Sequence, residues 1–211
     1  MRPNRIPLFP LEVVLFPGAT LPLHIFEQRY KMMIACCLNE NREFGVVLAG
    51  DKGVVTVGCT ASITSKTKDY PDGRMDILTQ GRVVFRVLKL VQEKEYHEAV
   101  VEYLLDVPAP LHESIDCRET SGLLALFQEC HSLIYGQMWV TTGRQPLWPL
   151  SYQLAARLPL DLEERQQLLE IRDEPKRQDF LIQWMNALLL PRLANQQRAR
   201  STAAGNGHRL N

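Results

Sequence analysis

"PLFPLEVVLFPGATLPLHIFEQRY" (residues 7–30) decides how the chain is read. Four prolines, Pro7, Pro10, Pro17 and Pro22, sit among strongly apolar residues, and the stretch then gives way to charge. Proline has no N–H to donate to a ladder and breaks a helix interior, so residues 6–16 fit an edge strand kinked at Pro7 and Pro10. Phe16-Pro17-Gly18 carries turn chemistry. From Phe26 the period changes: Phe26, Tyr30, Met33, Ile34, Cys37 and Leu38 share one helical face. Glu27 falls in the first turn, where negative charge suits the helix dipole, and Asn39 is the expected stop. A phosphate loop around Gly18 would need several glycines and a lysine or hydroxyl, whereas "PGATLP" has one glycine and no GxxxxGK[ST]. The stretch reads as structure, not as a ligand loop.

Residues 44–105 continue as strands: "FGVVLA" (44–49), "VVTV" (54–57), "CTASITSKT" (59–67), "RMDILTQ", "RVVFRVLKL" and "AVVEYLL", with the hairpin signal Asp72-Gly73 between them. Short strands at regular spacing point to a small barrel or curled sheet with one helix packed on it. Pro108 and Pro110 mark a change of regime. Beyond them Leu123, Phe127, Cys130, Ile134 and Met138 keep helical spacing, until "GQMWVTTGRQPLWPL" (136–150) breaks it. A short helix is expected from about Ser151. Asp161-x-x-Glu164 is a capping-box-like start, and Asp173 caps a last helix carrying Leu181, Trp184 and Leu188. The expected architecture is α+β: a β-rich lobe over 1–110, a helical lobe over 111–195 and a flexible tail over 196–211.

Composition bounds the function. The chain has 211 residues, enough to bury a real core, with 24 basic residues against 24 acidic ones. Residues 1–110 hold 13 of each sign and 111–211 hold 11 of each, so the basic excess of a nucleic-acid binder is missing from both halves. The one local excess is the solvated tail with Arg192, Arg198, Arg200 and Arg209. Cys36, Cys37, Cys59, Cys117 and Cys130 are odd in number and form no CxxC pair, which suits a reducing compartment. No basic-then-apolar leader opens the chain, and no apolar run approaches the ~20 residues of a membrane span. A cytoplasmic location and no membrane contact are expected.

No chemistry emerges from the titratable residues. His24, His97, His112, His131 and His208 make no HxxxH or HExxH spacing, so no metal site is expected. There is no GxSxG, and the His and Ser of "HES" (112–114) lack a third partner. The carboxylate pairs Glu27 with Glu40, and Asp161 with Glu163 and Glu164, are explained by helix ends. No catalytic residue and no cofactor are assigned. What stands out is apolar surface that is hard to bury. Met32 and Met33 are adjacent on a helix and cannot both face one core line, and Met138, Trp139, Leu147 and Trp148 share a loop with Gly and Pro. Exposed Met and Trp suit adaptable protein-binding surfaces, so these six are the candidate binding residues.

"IPLFPLEVVLFPGATLPLHIFEQRY" resembles the opening of the N-terminal, substrate-binding domain of Lon-type ATP-dependent proteases, a domain also found as stand-alone bacterial proteins. Pro17-Gly18, Pro22-Leu23, Phe26-Glu27 and Arg29-Tyr30 stand at the matching places. "FGVVL" (44–48), "VGCTASI" (57–63), "PDGRMDILTQGRVVFRVLKL" (71–90), "EYHEAVVEYL" (95–104) and "RQQLLEIRDEPKRQDFL" (165–181) follow in the same order. The resemblance covers roughly residues 5–190. Where the family often places arginine before a phenylalanine, Val84 precedes Phe85, so that arginine's salt bridge is not expected.

The resemblance implies a β-barrel-like lobe of the pseudouridine-synthase-and-archaeosine-transglycosylase (PUA) type followed by a helical bundle. It also implies recognition without catalysis, since the 211 residues carry no Walker lysine and no Ser–Lys peptidase module. The expected function is a non-enzymatic module engaging unfolded or partly exposed polypeptides, alongside a protease or chaperone. The alternative is an RNA-binding PUA-like module, which rests on fold analogy alone and which the charge balance argues against.

Overall fold

A computed structural model describes residues 2–50, 53–107, 117–139, 148–191, 193–195 and 198, with the side chains of 53–54, 117–120 and 188 excepted. The expectations for Leu188, Cys117, the "HES" segment, His208, Leu147 and the arginines at 192, 200 and 209 therefore lie outside the described residues.

The elements run β1 (Arg5–Leu11), β2 (Thr20–Ile25), α1 (Gln28–Asn39), β3 (Phe44–Gly50), β4 (Gly53–Asp69), β5 (Met75–Val91) and β6 (Glu98–Tyr103). The helices α2 (Cys117–Tyr135), α3 (Leu150–Ala155), α4 (Leu162–Glu170) and α5 (Glu174–Trp184) follow, and a π-helical turn over Met185–Leu189 extends α5. The fold is α+β. Six strands form one mixed sheet in the order β2-β5-β4-β3-β1-β6, and β6 pairs back onto β5. The circuit β5-β4-β3-β1-β6 is thus closed by hydrogen bonds, with β2 added outside it along the first half of β5.

β1 is an inner strand, not the expected edge. Its first half, Arg5–Pro7, pairs antiparallel with β6, and its second half, Leu8–Leu11, pairs parallel with β3. The strand changes partner midway, and Pro7 and Pro10 fall in different halves, so neither proline interrupts a ladder running along its whole length. Ile6, Pro7, Leu8 and Phe9 are all buried, which is why the run is continuously apolar rather than alternating. The actual edge is β2, a strand that the sequence reading left unassigned. Among the described residues it pairs only with β5, and Pro22 stands in it, where a missing N–H costs least.

The turn at residues 16–19 is a type II turn, with Pro17 and Gly18 at its centre. Ala19 N–H donates to the Phe16 carbonyl at 3.1 Å, and Gly18 has φ 79°. It lies across the middle of β5. Gly18 N–H donates to the Gly81 carbonyl at 2.9 Å, and Gly81 N–H to the Ala19 carbonyl at 2.9 Å. A Cβ at Gly81 would overlap the Phe16 carbonyl oxygen, so only glycine lets the two backbones approach this closely. On either side of Gly81, β5 serves different partners: Met75–Gln80 pair with β2, and Phe85–Val91 with β6. The "RMDILTQ" and "RVVFRVLKL" segments are one 17-residue strand, as are the segments at 54–57 and 59–67.

Inside the circuit, Ile6, Leu8, Val47, Phe85, Ala99 and Val101 form one buried cluster. Phe85 fills it because Gly45 has no side chain; a Cβ there would stand 2.5 Å from its ring. On the other side of β1, Phe9 packs on Tyr30 of α1 with ring centroids 4.1 Å apart, and Met33, Ile34 and Cys37 complete the buried face of that helix.

The described residues gather into two compact units. One takes Met1–Val107 with Leu147–Asp173, the other Pro108–Pro146 with Glu174–Asn211. This differs from the linear division expected at residue 110, because α3 and α4 pack with the strands. Tyr152 of α3 stacks on Phe16 at 5.4 Å, and Gln166 of α4 donates to the Val57 carbonyl at 3.1 Å. The capping box at Asp161 and Glu164 forms as expected. In the second unit α2 packs against α5 and its π-turn, burying Leu123, Phe127 and Cys130 with Leu181, Trp184, Met185 and Leu189.

Two predictions follow from this packing. Gly81→Ala should lower stability by ~2–3 kcal/mol, because backbone rather than a movable side chain must yield; an unchanged denaturation midpoint would show that the turn can lift off β5. The second concerns Glu98, whose side chain is 3% exposed and takes hydrogen bonds from Arg5 (2.6 Å) and Lys94 (3.2 Å). Burial pushes its carboxyl up, but the bonds to Arg5 and Lys94 outweigh burial, and the net shift is downward from the ordinary carboxylate value. Ionised Glu98 therefore stabilises the fold above the unfolded pKa of ~4.3, and the contribution is lost as pH falls through the lower folded value. Glu98→Gln should cost ~1–2 kcal/mol at neutral pH, and less in acid, in chemical denaturation run at both pH values.

Candidate functional site

A groove of about 320 Å3 in the first unit lies where the end of β1, the edge strand β2 and the start of α1 meet. Phe9, Pro10 and Leu11 line it from β1, Leu23, His24 and Ile25 from β2, and Phe26, Glu27, Arg29 and Tyr30 from the helix start. Phe26 stands at its rim with 60% of its surface exposed. The sequence pattern placed Phe26 on the buried helix face, but α1 begins only at Gln28, so Phe26 precedes the first turn and escapes the helical period. Leu38, at the other end, is likewise exposed.

Charge at the groove is locally balanced. Arg29 donates to Glu27 (Nε–Oε2 2.9 Å), and its guanidinium lies 4.6 Å from the Tyr30 ring centroid. On the neighbouring rung His24 Nδ1 is 2.5 Å from Asp76 Oδ1, and the Tyr70 hydroxyl donates to Asp76 Oδ2 at 3.0 Å. The His24 contact, against some desolvation and with help from Tyr70, holds the Asp76 carboxyl below its usual value. The His24 ring also stacks on Phe26 at 6.0 Å. This trio has an acid–base look without a nucleophile: no serine, threonine or cysteine hydrogen-bonds to His24 among the described residues. Burial pushes the thiols of Cys37 and Cys59 up to about 12 and that of Cys130 up to about 11, so they are protonated and inert at neutral pH. Among the described residues no group of histidine, cysteine and carboxylate side chains could hold a metal ion, and no helix is long and apolar enough to cross a membrane.

The six residues singled out from the sequence do not form one patch. Met33 is fully buried against the sheet and is withdrawn as a surface contact; of the adjacent pair only one can face the core, and Met32 is the half-buried one. Met138 is 67% exposed, just past the end of α2. Trp139 is half-buried. Its backbone N–H and carbonyl are both held by the Gln128 amide (3.0 and 2.6 Å), and its ring meets Phe127 edge-on at 5.4 Å. Trp148 belongs to the other compact unit, with its ring against Gly18 and the Arg82 guanidinium 5.5 Å from the ring centroid. The sequence reading passed over Phe26, Leu23 and Leu11, because each fits a strand or helix pattern and exposure carries no periodic signal.

Comparison with known proteins places this architecture. The ATP-dependent protease La (LON) substrate-binding domain matches residues 5–187, and the chain belongs to that family. It is 25% identical over 202 residues to a Lon protease of Cytophaga hutchinsonii, covering 87% of this chain and 24% of that protein. It is 26% identical over 212 residues to the Lon protease of Escherichia coli, covering 89% and 26% respectively. The chain thus spans about a quarter of the length of these relatives. Among solved structures, the Lon N-terminal domain protein from Xanthomonas campestris superposes with a TM-score of 0.63 at 28% identity, covering 86% of this chain and 98% of that one. The N-terminal domain of a Mycobacterium avium complex Lon protease shares the fold, with a TM-score of 0.60 at 15% identity and coverage of 88% and 100%.

Phe26 is mostly exposed, and among the described residues its ring contact is with His24. Phe26→Ser should therefore leave the thermal midpoint within about 1 °C of wild type, whereas Phe9→Ala, beneath the same groove, should lower stability by ~3 kcal/mol.

Proposed function

We propose that this chain is a non-enzymatic protein-binding module that engages exposed apolar segments of unfolded or partly exposed polypeptides. The observation that carries the reading is the apolar groove beside the edge strand β2, with Phe26 at its rim and the lining Glu27, Arg29 and His24 each paired. Such a surface rewards burial of apolar side chains. Each 100 Å2 of apolar area covered contributes ~2.5 kcal/mol before the costs of association. Membership of a family described by substrate binding supports it. The strand circuit is read as a barrel of the PUA-like type and the second unit as part of a helical bundle. An RNA-binding role gains nothing from this, since both halves of the chain are electrically balanced. The free cysteines suit a cytoplasmic setting, where a protease or chaperone would be the natural associate.

Met32, Met138, Trp139 and Trp148 are kept as secondary contacts, with Leu147 beside them in sequence. The test is fluorescence anisotropy of a labelled, permanently unfolded protein titrated with this chain at two salt concentrations, with its folded form as control. Binding to the unfolded form alone, little weakened by salt, is expected. Phe26→Ser should weaken it roughly tenfold, and alanine at both Trp139 and Trp148 by at least ~1 kcal/mol. Absence of binding, or a steep salt dependence, would remove the reading; an unaffected tryptophan double variant would remove only those two residues.

A further inference from the structure

A second pocket, about 240 Å3, opens in the first unit on the flank of β5, between the Pro17-Gly18 turn and the strand end at Leu104–Asp106. Its walls are of two kinds. Leu104, Leu105 and Trp148 supply apolar and aromatic surface over the buried Val84 and Tyr152, and Arg82 and Arg172 supply guanidinium groups. Arg172 is committed to the protein: it donates to the Leu169 carbonyl (2.9 Å) and the Tyr152 hydroxyl (3.3 Å) and pairs with Asp106. Arg82 is not. Its Nη1 donates to the Gln80 side-chain oxygen (3.1 Å) and its Nε approaches Glu43 only to 4.0 Å. Glu43 is closer to Arg2, at 2.7 Å. Glu43 is thus shared between Arg2 and Arg82, and the longer contact falls to Arg82, whose side chain is 38% exposed.

We propose that this pocket receives the C-terminal residue of a polypeptide, its carboxylate on Arg82 and its apolar side chain against Leu104, Leu105 and Trp148. The pocket is below the size usual for nucleotides and cofactors, but it has room for a single residue. An internal Asp or Glu would bring its charge without an apolar group on the same carbon. A chain end ending in Leu or Phe brings both, matching one guanidinium beside one apolar wall. The inference rests on the protein-binding reading above, and adds a chain-end preference to the apolar groove.

The test uses the whole chain and two labelled Gly/Ser peptides, both ending in leucine, one as the free acid and the other as the amide. A single terminal apolar residue keeps the Phe26 groove from binding them by itself. By anisotropy the free acid should bind roughly tenfold more tightly than the amide, as expected of one charge-assisted contact. Arg82→Met, which removes the charge and keeps an unbranched stem, should reduce the acid to the amide's level without changing the amide. Because the acid–amide comparison uses the unaltered protein, a poorly folded Arg82 variant would not blunt it. Equal binding of acid and amide overturns the proposal; if unfolded protein still binds, the groove reading stands alone. N-acetylleucine competing as well as the peptide would overturn the chain end in favour of a small acid. No binding by either peptide or by unfolded protein would overturn both readings.

Discussion

The structure depends on the crossing of two backbones at Gly81. The opening segment lies over the centre of β5 and exchanges two hydrogen bonds with it, an approach that any side chain at that position would block. Because the crossing sits mid-strand, the 17 residues of β5 are divided between β2 before it and β6 after it, while β4 follows across the divide as far as Arg86. Closure of the strand circuit and addition of the edge strand are therefore two results of one contact. The turn that makes it also sets where β2 begins, and so where the groove beside that strand lies.

Electrostatics is arranged to keep this surface neutral without leaving charges unpaired. Glu98 is buried and answered by two cations at its rim, and Arg29 folds onto Glu27 beside the groove. The Arg29–Glu27 pair is exposed and adds little stability, since water screens it. Its effect at the groove is to leave apolar surface as the main attraction. Arg82 departs from that pattern: it is held against an aromatic ring instead of a close carboxylate.

Much of this was legible in the sequence because it rests on local chemistry. The Pro17-Gly18 turn, the Asp72-Gly73 hairpin and the Asp161 capping box each follow from residues a few positions apart, and all three form. Pro7 and Pro10 point to an edge strand over residues 6–16, but the edge is the strand holding Pro22. Pro7 and Pro10 are tolerated in an inner strand because it changes neighbours between them. Phe26 and Met33 show the other limit. A helical period assigns both to the core, yet the helix starts after Phe26, so only Met33 is turned inward. Trp139 and Trp148, neighbours in one loop by sequence, belong to different compact units.

By itself the sequence determined the α+β class of the fold, the order of its strands and helices apart from β2, and the main turns and the capping box. It did so because propensity, periodicity and turn chemistry act over a few residues. Only the tertiary structure decided which strand is the edge, that α3 and α4 belong with the sheet, and that an apolar groove forms beside Phe26. Those outcomes depend on pairings between distant segments, such as Phe16 on Tyr152 and Gln166 on Val57, and the approach of backbones at Gly81. No local pattern specifies a contact whose two sides are far apart in the chain.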